Sequence, residues 1–197
     1  VTDESAVKIV EMGLSGDLNK NIVSSINSQG GDGVGISGKD ASLVICEKDH
    51  PKLGFVGKPI LINTKLITTL VENDFIPVIS PIGTNEKGET FNINADTMAG
   101  SIASALKADR LLLLTDVEGV KDQNGEKIEK APLKEIKKLI NQNIIKDGMI
   151  PKVNTAIDAI EKGVRAVVIL DGSIQNACLL ELFTDHGVGT LIREEID

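Results

Sequence analysis

The chain has 197 residues, and its 21 Lys and Arg against 29 Asp and Glu give a net charge of −8. This acidic balance argues against nucleic acid as a partner, because duplex binding depends on an excess of cationic side chains that displace counterions. The 41% of apolar residues is enough for a globular core, whereas four Phe and no Trp or Tyr offer few platforms for stacking single-stranded bases.

No apolar stretch approaches the roughly 18 residues of a membrane helix, so we predict no membrane association. Cys46 and Cys178 lie far apart and lack CxxC spacing, which favours a reducing compartment and predicts a cytoplasmic protein. Because the chain opens with Val1 and runs straight into a helix-like segment, we expect that an N-terminal part is missing.

The first half of the chain alternates between helical and extended patterns. Apolar residues at helical intervals predict helices at residues 2–14, 18–27 and 64–73, of which the second ends at Gly30-Gly31. Runs of β-branched and apolar residues predict strands at 33–37, 42–47, 54–62 and 75–79. Pro59 indicates an edge or a bulge in the third strand, and the fourth is expected to be buried.

The second half continues the same alternation. An alanine-rich helix is predicted at 96–106, followed by helices at 133–140 and 153–161. The apolar runs at 111–114 and 166–170 are typical of parallel strands covered on both faces, and Asn124-Gly125 predicts a tight hairpin. This order predicts one α/β domain over residues 1–197, a sandwich with a mostly parallel central sheet and ligands beyond the carboxyl ends of strands.

Three glycines, Gly33, Gly35 and Gly38, spell the spacing of a dinucleotide-binding loop and, with Lys39, that of a P-loop. Both motifs require a strand before and a helix after the glycines, so that phosphate meets the helix N-terminus. Here a helix precedes, the glycines lie within the strand, and Asp40 replaces the hydroxyl residue of a P-loop. We therefore interpret this segment as a structural strand and turn.

His50 and His186 are isolated from each other and from the cysteines, so no metal-ligand spacing exists and we predict surface roles for both. We assign no residue of the chain to a metal.

Polar residues gather at two predicted strand ends. Asn92, Asn94 and Asp96 precede the alanine-rich helix, where Asp96 is either a helix cap or a functional carboxylate. Thr115 and Asp116 follow the leucine run, at the edge where α/β proteins bind ligands. Two polar strand ends facing one crevice favour the functional alternative.

Lys152 lies in the predicted break at residues 147–152, in the first turn of the helix that follows. A cation there opposes the helix dipole, so a purely structural design would not place it there. We interpret Lys152 as functional.

The chain resembles the amino acid kinases over nearly its whole length. The resemblance runs in order through SGKD, GFVG, NINADTMAG, LLLLTDVEGV, DGMIPKV and ELFTDHGVGT. Within that family it is similar to the branch that phosphorylates the side-chain carboxylate of N-acetyl-L-glutamate, using ATP and Mg2+, in arginine synthesis. The resemblance implies an α/β/α sandwich of three layers and a homo-oligomer.

The resemblance also implies roles for individual residues. Lys152 resembles a catalytic lysine that stabilises the transferring phosphoryl group, Asp96 the carboxylate that orients the lysines, and Asn92 and Asn94 the substrate-binding residues. Glu181 and Gly187 resemble residues that hold the inhibitor L-arginine, although a helix and strand completing the core would also explain that segment. The nucleotide site would comprise Thr115, Asp116, Val117, Glu118, Gly119, Val120, Lys121, Ile144, Ile145, Lys146 and Met149.

The family's glycine-rich loop and second catalytic lysine have no counterpart in these residues. We therefore expect the 197 residues alone to be weakly active or inactive. The alternative is a non-catalytic module, derived from the same family, that binds nucleotide or arginine.

Overall fold

A computed structural model of the protein describes residues 1–184 and 187–195 and divides the chain into two compact units, Val1–Met98 and Ala99–Asp197. The boundary between the units falls inside helix α4, Ala95–Leu106. The single domain expected from the sequence stays a prediction, and each unit is described by itself. Among the described residues, no helix is both long and apolar enough to cross a membrane.

The first unit opens with a long helical segment. Helix α1, Glu4–Glu11, is capped at its N-terminus by Asp3, whose carboxylate accepts a hydrogen bond of 2.8 Å from the Ala6 N–H. The chain continues through wider, π-type turns at Met12–Leu18 into α2, Asn19–Ser28. Both helices are confirmed, and the predicted end at Gly30-Gly31 is correct within two residues.

Six strands follow in the first unit. Strand β1, Gly33–Ser37, pairs in parallel with β4, Ile76–Ser80, and α3, Lys65–Glu72, precedes β4. The remaining four strands close into a small barrel in the order β2-β3-β6-β5. Their bounds are Val44–Lys48 for β2, Val56–Ile62 for β3, Ile82–Thr84 for β5 and Thr90–Ile93 for β6.

Gly33, Gly35 and Gly38 lie in β1 and in the turn after it, as the sequence predicted. A Cβ on Gly35 would collide with the side chain of Asn19, so this glycine allows α2 to approach the strand. The register of β2 against β3 shifts beside Pro59, which confirms the bulge. The thiol of Cys46 is buried in the barrel, and burial raises its pKa to about 11, which keeps it protonated at neutral pH.

The second unit is a four-stranded sheet with helices packed against it. The strand order is β7-β9-β10-β8, in which β9 runs parallel to β7 and antiparallel to β10. The strands are β7, Leu111–Thr115; β8, Lys130–Pro132; β9, Val167–Asp171; and β10, Thr190–Arg193. The helices besides α4 are α5, Leu133–Asn141; α6, Met149–Glu161; and α7, Ala177–Phe183.

These elements confirm the predicted α/β class with parallel strand pairs, but two burial predictions were wrong. Leu114 is 49% exposed, because β7 is the outermost strand of its sheet and the core covers the inner strand β9. Phe75 and Ile76 are 41% and 45% exposed, since β4 pairs with β1 alone and Ile76 is its first residue. By contrast, the residues from Val167 to Leu170 are fully buried, as predicted.

Asn19 joins the helical segment of the first unit to its two parallel strands. Its side chain is 3% exposed, and its amide group donates hydrogen bonds to the Val78 carbonyl at 2.8 Å and to the Ile36 carbonyl at 3.3 Å. One buried side chain therefore ties α2 to both β1 and β4.

We predict that Asn19→Ala lowers the free energy of unfolding by about 1–3 kcal/mol, because the donor to two buried carbonyls is removed. Asn21→Ala is the matched control on the same helix, since Asn21 is exposed and its side-chain amide donates to the exposed Asp17; it should change stability by less than about 0.5 kcal/mol. Urea unfolding measures both. Equal effects of the two variants would show that the contacts of Asn19 are unimportant.

Candidate functional site

The carboxyl ends of β7 and β9 meet at one edge of the sheet in the second unit. Thr115 pairs with Asp171 in the parallel register, and the Gly172 N–H donates to the Thr115 carbonyl at 2.8 Å. Parallel α/β sheets bind ligands at this edge. The structure thus places Thr115 and Asp116 where the sequence predicted them.

Residues 171–173 at this edge were missed by the sequence analysis. Asp171 accepts a hydrogen bond of 2.8 Å from the Ser173 N–H. Hydrogen bonds from the Ser173 hydroxyl and N–H lower the pKa of Asp171, so the carboxylate is anionic at neutral pH. The signal was present, because Asp-Gly-Ser directly follows the apolar run at 166–170, just as Thr-Asp follows the leucine run.

The loop after β7 is held at its far end by Thr190. The Val120 N–H donates to the Thr190 hydroxyl at 2.8 Å, and that hydroxyl donates to the Ile128 carbonyl at 2.6 Å. Thr190 and Val120 are both fully buried. Asp116, Val117 and Glu118 are exposed between Thr115 at the start of the loop and Val120 at its end.

The second nucleotide segment predicted from the sequence lies between α5 and α6. Ile145 is buried in the same core cluster as Val120, and Ile144 and Met149 pack against that cluster. Lys121 and Lys146 are exposed. Ile145 and Val120 therefore face the core and offer only their backbones to a ligand, whereas the two lysines present their charges to solvent.

Lys152 is the fourth residue of α6 and is half-buried. The helix begins at Met149 and not at residue 153, because Pro151 is tolerated in a first turn, where its missing N–H is not needed. The expected position of Lys152 in the first turn is confirmed, and no carboxylate lies in that turn.

Asn92, Asn94 and Asp96 belong to the first unit, where β6 leads into α4. The side chain of Asn94 accepts a hydrogen bond of 3.0 Å from the Thr97 N–H, so Asn94 caps α4. The capping alternative for Asp96 is therefore wrong, since the helix begins one residue before it. The half-buried Asn92 side chain makes no hydrogen bond to any residue that the structure describes.

Glu181 and Gly187 lie together, as the sequence predicted. The Glu181 carboxylate is 8% exposed and accepts hydrogen bonds from the N–H groups of Val188 at 2.9 Å and Gly189 at 3.3 Å. A Cβ on Gly187 would collide with this carboxylate. Both residues line a cavity of about 470 Å³, together with Arg110, Glu129, Lys130 and Arg193.

The described residues contain no group of three or more His, Cys, Asp or Glu arranged to hold a metal ion. His50 is exposed and caps a short helical turn by accepting from the Lys52 N–H, which confirms its surface position. His186 lies outside the described residues.

Residues 1–171 match the amino acid kinase family. Acetylglutamate kinase from Ruegeria pomeroyi is 57% identical over 195 residues, which cover 99% of this chain and 68% of that protein. The enzyme of the same name from Paracoccus denitrificans is 56% identical over 98% of this chain and 64% of its own length. The chain thus spans about two thirds of these relatives.

Two solved structures have the same fold. The protein smu.665 from Streptococcus mutans is 31% identical with a TM-score of 0.82, covering 99% of this chain and 74% of that one. N-acetylglutamate synthase from Neisseria gonorrhoeae, solved with coenzyme A and N-acetyl-glutamate, is 25% identical with a TM-score of 0.89. The match covers all of this chain and 46% of the synthase.

We predict that Thr190→Val lowers the free energy of unfolding by about 1–3 kcal/mol, because it leaves the buried Val120 N–H and Ile128 carbonyl without a partner. Thr190→Ser keeps the hydroxyl and should cost about 1 kcal/mol less. Hydrogen exchange of the Val120 amide should accelerate in the valine variant alone. If that amide exchanges equally fast in both variants, the anchoring role of the hydroxyl is wrong.

Proposed function

This chain belongs to the amino acid kinase family, and we propose that it serves the ATP-dependent phosphorylation of the N-acetyl-L-glutamate side-chain carboxylate. The observation that carries this proposal from the geometry is the start of α4, where Asn94 caps the helix. Asp96 is therefore not needed as the cap. The 57% identity to an acetylglutamate kinase supports the choice of substrate.

Transfer of a phosphoryl group between two anions requires cations that neutralise the developing charge and a group that positions them. No covalent nucleophile is needed. We assign Lys152 the first role, since it places a cation in the first turn of α6. We assign Asp96 the positioning role. We assign Asn92 the binding of substrate, because the side-chain amide of Asn92 is free to pair with a ligand.

For ATP we propose the loop after β7, together with residues 144–149. The loop is anchored through Val120 and exposes Asp116, Val117 and Glu118 between the half-buried Thr115 and the buried Val120. A carboxylate in such a position accepts hydrogen bonds from sugar hydroxyls, and Lys121 and Lys146 supply positive charge. Mg2+ would enter with the phosphates of the nucleotide, as is usual for phosphoryl transfer.

The competing proposal is a non-catalytic module that binds nucleotide or arginine. It is favoured by one observation, that both candidate nucleotide segments and the cavity around Glu181 belong to the second unit. Nucleotide titration beside a phosphorylation assay separates the two proposals. Weak activity or inactivity of the 197 residues by themselves, a cytoplasmic location and a homo-oligomer stay predictions.

We predict that Asp96→Asn lowers turnover by about 100-fold or more in the full-length protein, because the charge that positions the lysines is lost. Stability should fall less than in Asn94→Ala, because Asn94 remains as the cap. Asn94→Ala is the contrast in stability, and it should cost about 1 kcal/mol in urea unfolding. Unchanged turnover in Asp96→Asn would refute the positioning role.

We further propose that L-arginine binds the cavity around Glu181 as an inhibitor. The buried Glu181 carboxylate would make a charge-assisted pair with the guanidinium group of the ligand. Glu129, Lys130 and Arg193 line the same cavity and supply partners for the amino and carboxylate groups of the ligand. Glu181→Gln should weaken arginine binding about tenfold in calorimetry. Glu135→Gln, on the exposed face of α5, is the control and should bind normally. Absence of arginine binding to the unaltered full-length protein would remove this proposal.

A further inference from the structure

The three arginines of the chain, Arg110, Arg165 and Arg193, all line one cavity of about 480 Å³ in the second unit. Every other cationic side chain apart from histidine is a lysine. Arginine differs from lysine in its planar guanidinium group, whose donors match carboxylate and phosphate oxygens in pairs. The concentration of all three arginines in one place therefore points to an anion.

The topology of the sheet explains why residues so distant in sequence meet. Arg110 and Arg165 precede the parallel strands β7 and β9, whereas Arg193 ends the antiparallel strand β10. Leu111, Val167 and Ile192 pair across these strands, which brings the three arginines to the amino edge of β7 and β9. Thr115 and Asp171 lie at the opposite edge, about 13 Å away along a five-residue strand.

Among the described residues, Asp109 is the one carboxylate that lines this cleft beside the three arginines. Arg165 pairs with Asp109 at 2.8 Å, but both side chains are about 80% exposed, so the pair contributes little and exchanges readily. Neither Arg110 nor Arg193 forms an ion pair with any described residue. The cleft is thus a cationic site on a chain of net charge −8.

The wall beside the arginines is apolar. Leu182 and Phe183, at the end of α7, are 44% and 79% exposed and line the cleft. Exposed apolar side chains beside unpaired guanidinium groups suit a ligand that has both an anionic and an apolar part. The volume is within the range of small-molecule sites.

We propose that this cleft binds a small organic dianion, either a phosphate monoester or a dicarboxylate, that carries an apolar group. The arginines hold the two negative charges, and Phe183 packs against the apolar part. Arg165 and Phe183 line this cleft but not the cavity around Glu181, which shares Arg110 and Arg193 with it. Variants of Arg165 and Phe183 therefore report on the cleft itself.

The test is calorimetric titration of the 197-residue chain with phenyl phosphate and with phenylsuccinate, in the presence of saturating ATP. We expect at least one probe to bind, and the tighter one identifies the anion. Arg165→Gln should weaken that probe about tenfold, whereas the control Lys134→Gln, which removes the same charge from an exposed position of α5, should change affinity less than twofold. The substituted side chains are exposed, so circular dichroism should show native folding in both.

Phe183→Ser provides the second arm of the test. It should weaken phenyl phosphate several-fold while leaving the affinity for inorganic phosphate within twofold, because only the apolar contact is lost. The proposal is overturned if neither probe binds, if the arginine and lysine variants weaken binding equally, or if ATP displaces the probe competitively.

Discussion

The buried hydroxyl of Thr190 is the interaction on which the geometry of the second unit depends. This hydroxyl accepts a hydrogen bond from the Val120 N–H and donates one to the Ile128 carbonyl, so it joins the loop after β7 to the strand pair of β10 and β8. Buried backbone groups must be paired, and here one side chain pairs two of them. The loop that exposes Asp116 and Glu118 therefore has a fixed start at Thr115 and a fixed end at Val120.

The register of β10 carries this constraint across the whole sheet. Thr190 pairs with Ile169, and Ile192 pairs with Val167, so the strand runs from near the carboxyl edge of β9 to its amino edge. The four residues of β10 therefore support the candidate nucleotide loop at one end, through Thr190, and place Arg193 in the arginine cleft at the other end. Because β10 runs antiparallel to β9, this one strand places a polar side chain at each of the two edges of the sheet.

Local pattern was sufficient to predict most elements. The periodic apolar spacing of α2 and the continuous run of β9 follow from side chains near in sequence, and both were found within two residues of their observed bounds. The polar ends after β7 and before α4 were predicted for the same reason. Burial was harder, because the exposure of Leu114 depends on which strand lies at the edge of the sheet, which no local window contains.

The remaining features depend on one-residue differences or on distant pairing. Asp96 and Asn94 are both good caps, and only the observed start of α4 at Ala95 decides that Asn94 fills that position. The arginine cleft is harder still to predict from the sequence, since Arg110, Arg165 and Arg193 follow no sequence spacing and meet only through the register of three strands. Functional side chains that a sheet assembles from separate strands leave no motif, so residue type is the one signal that sequence retains. Three arginines among many lysines are such a signal, because only the guanidinium group combines a permanent charge with paired donors.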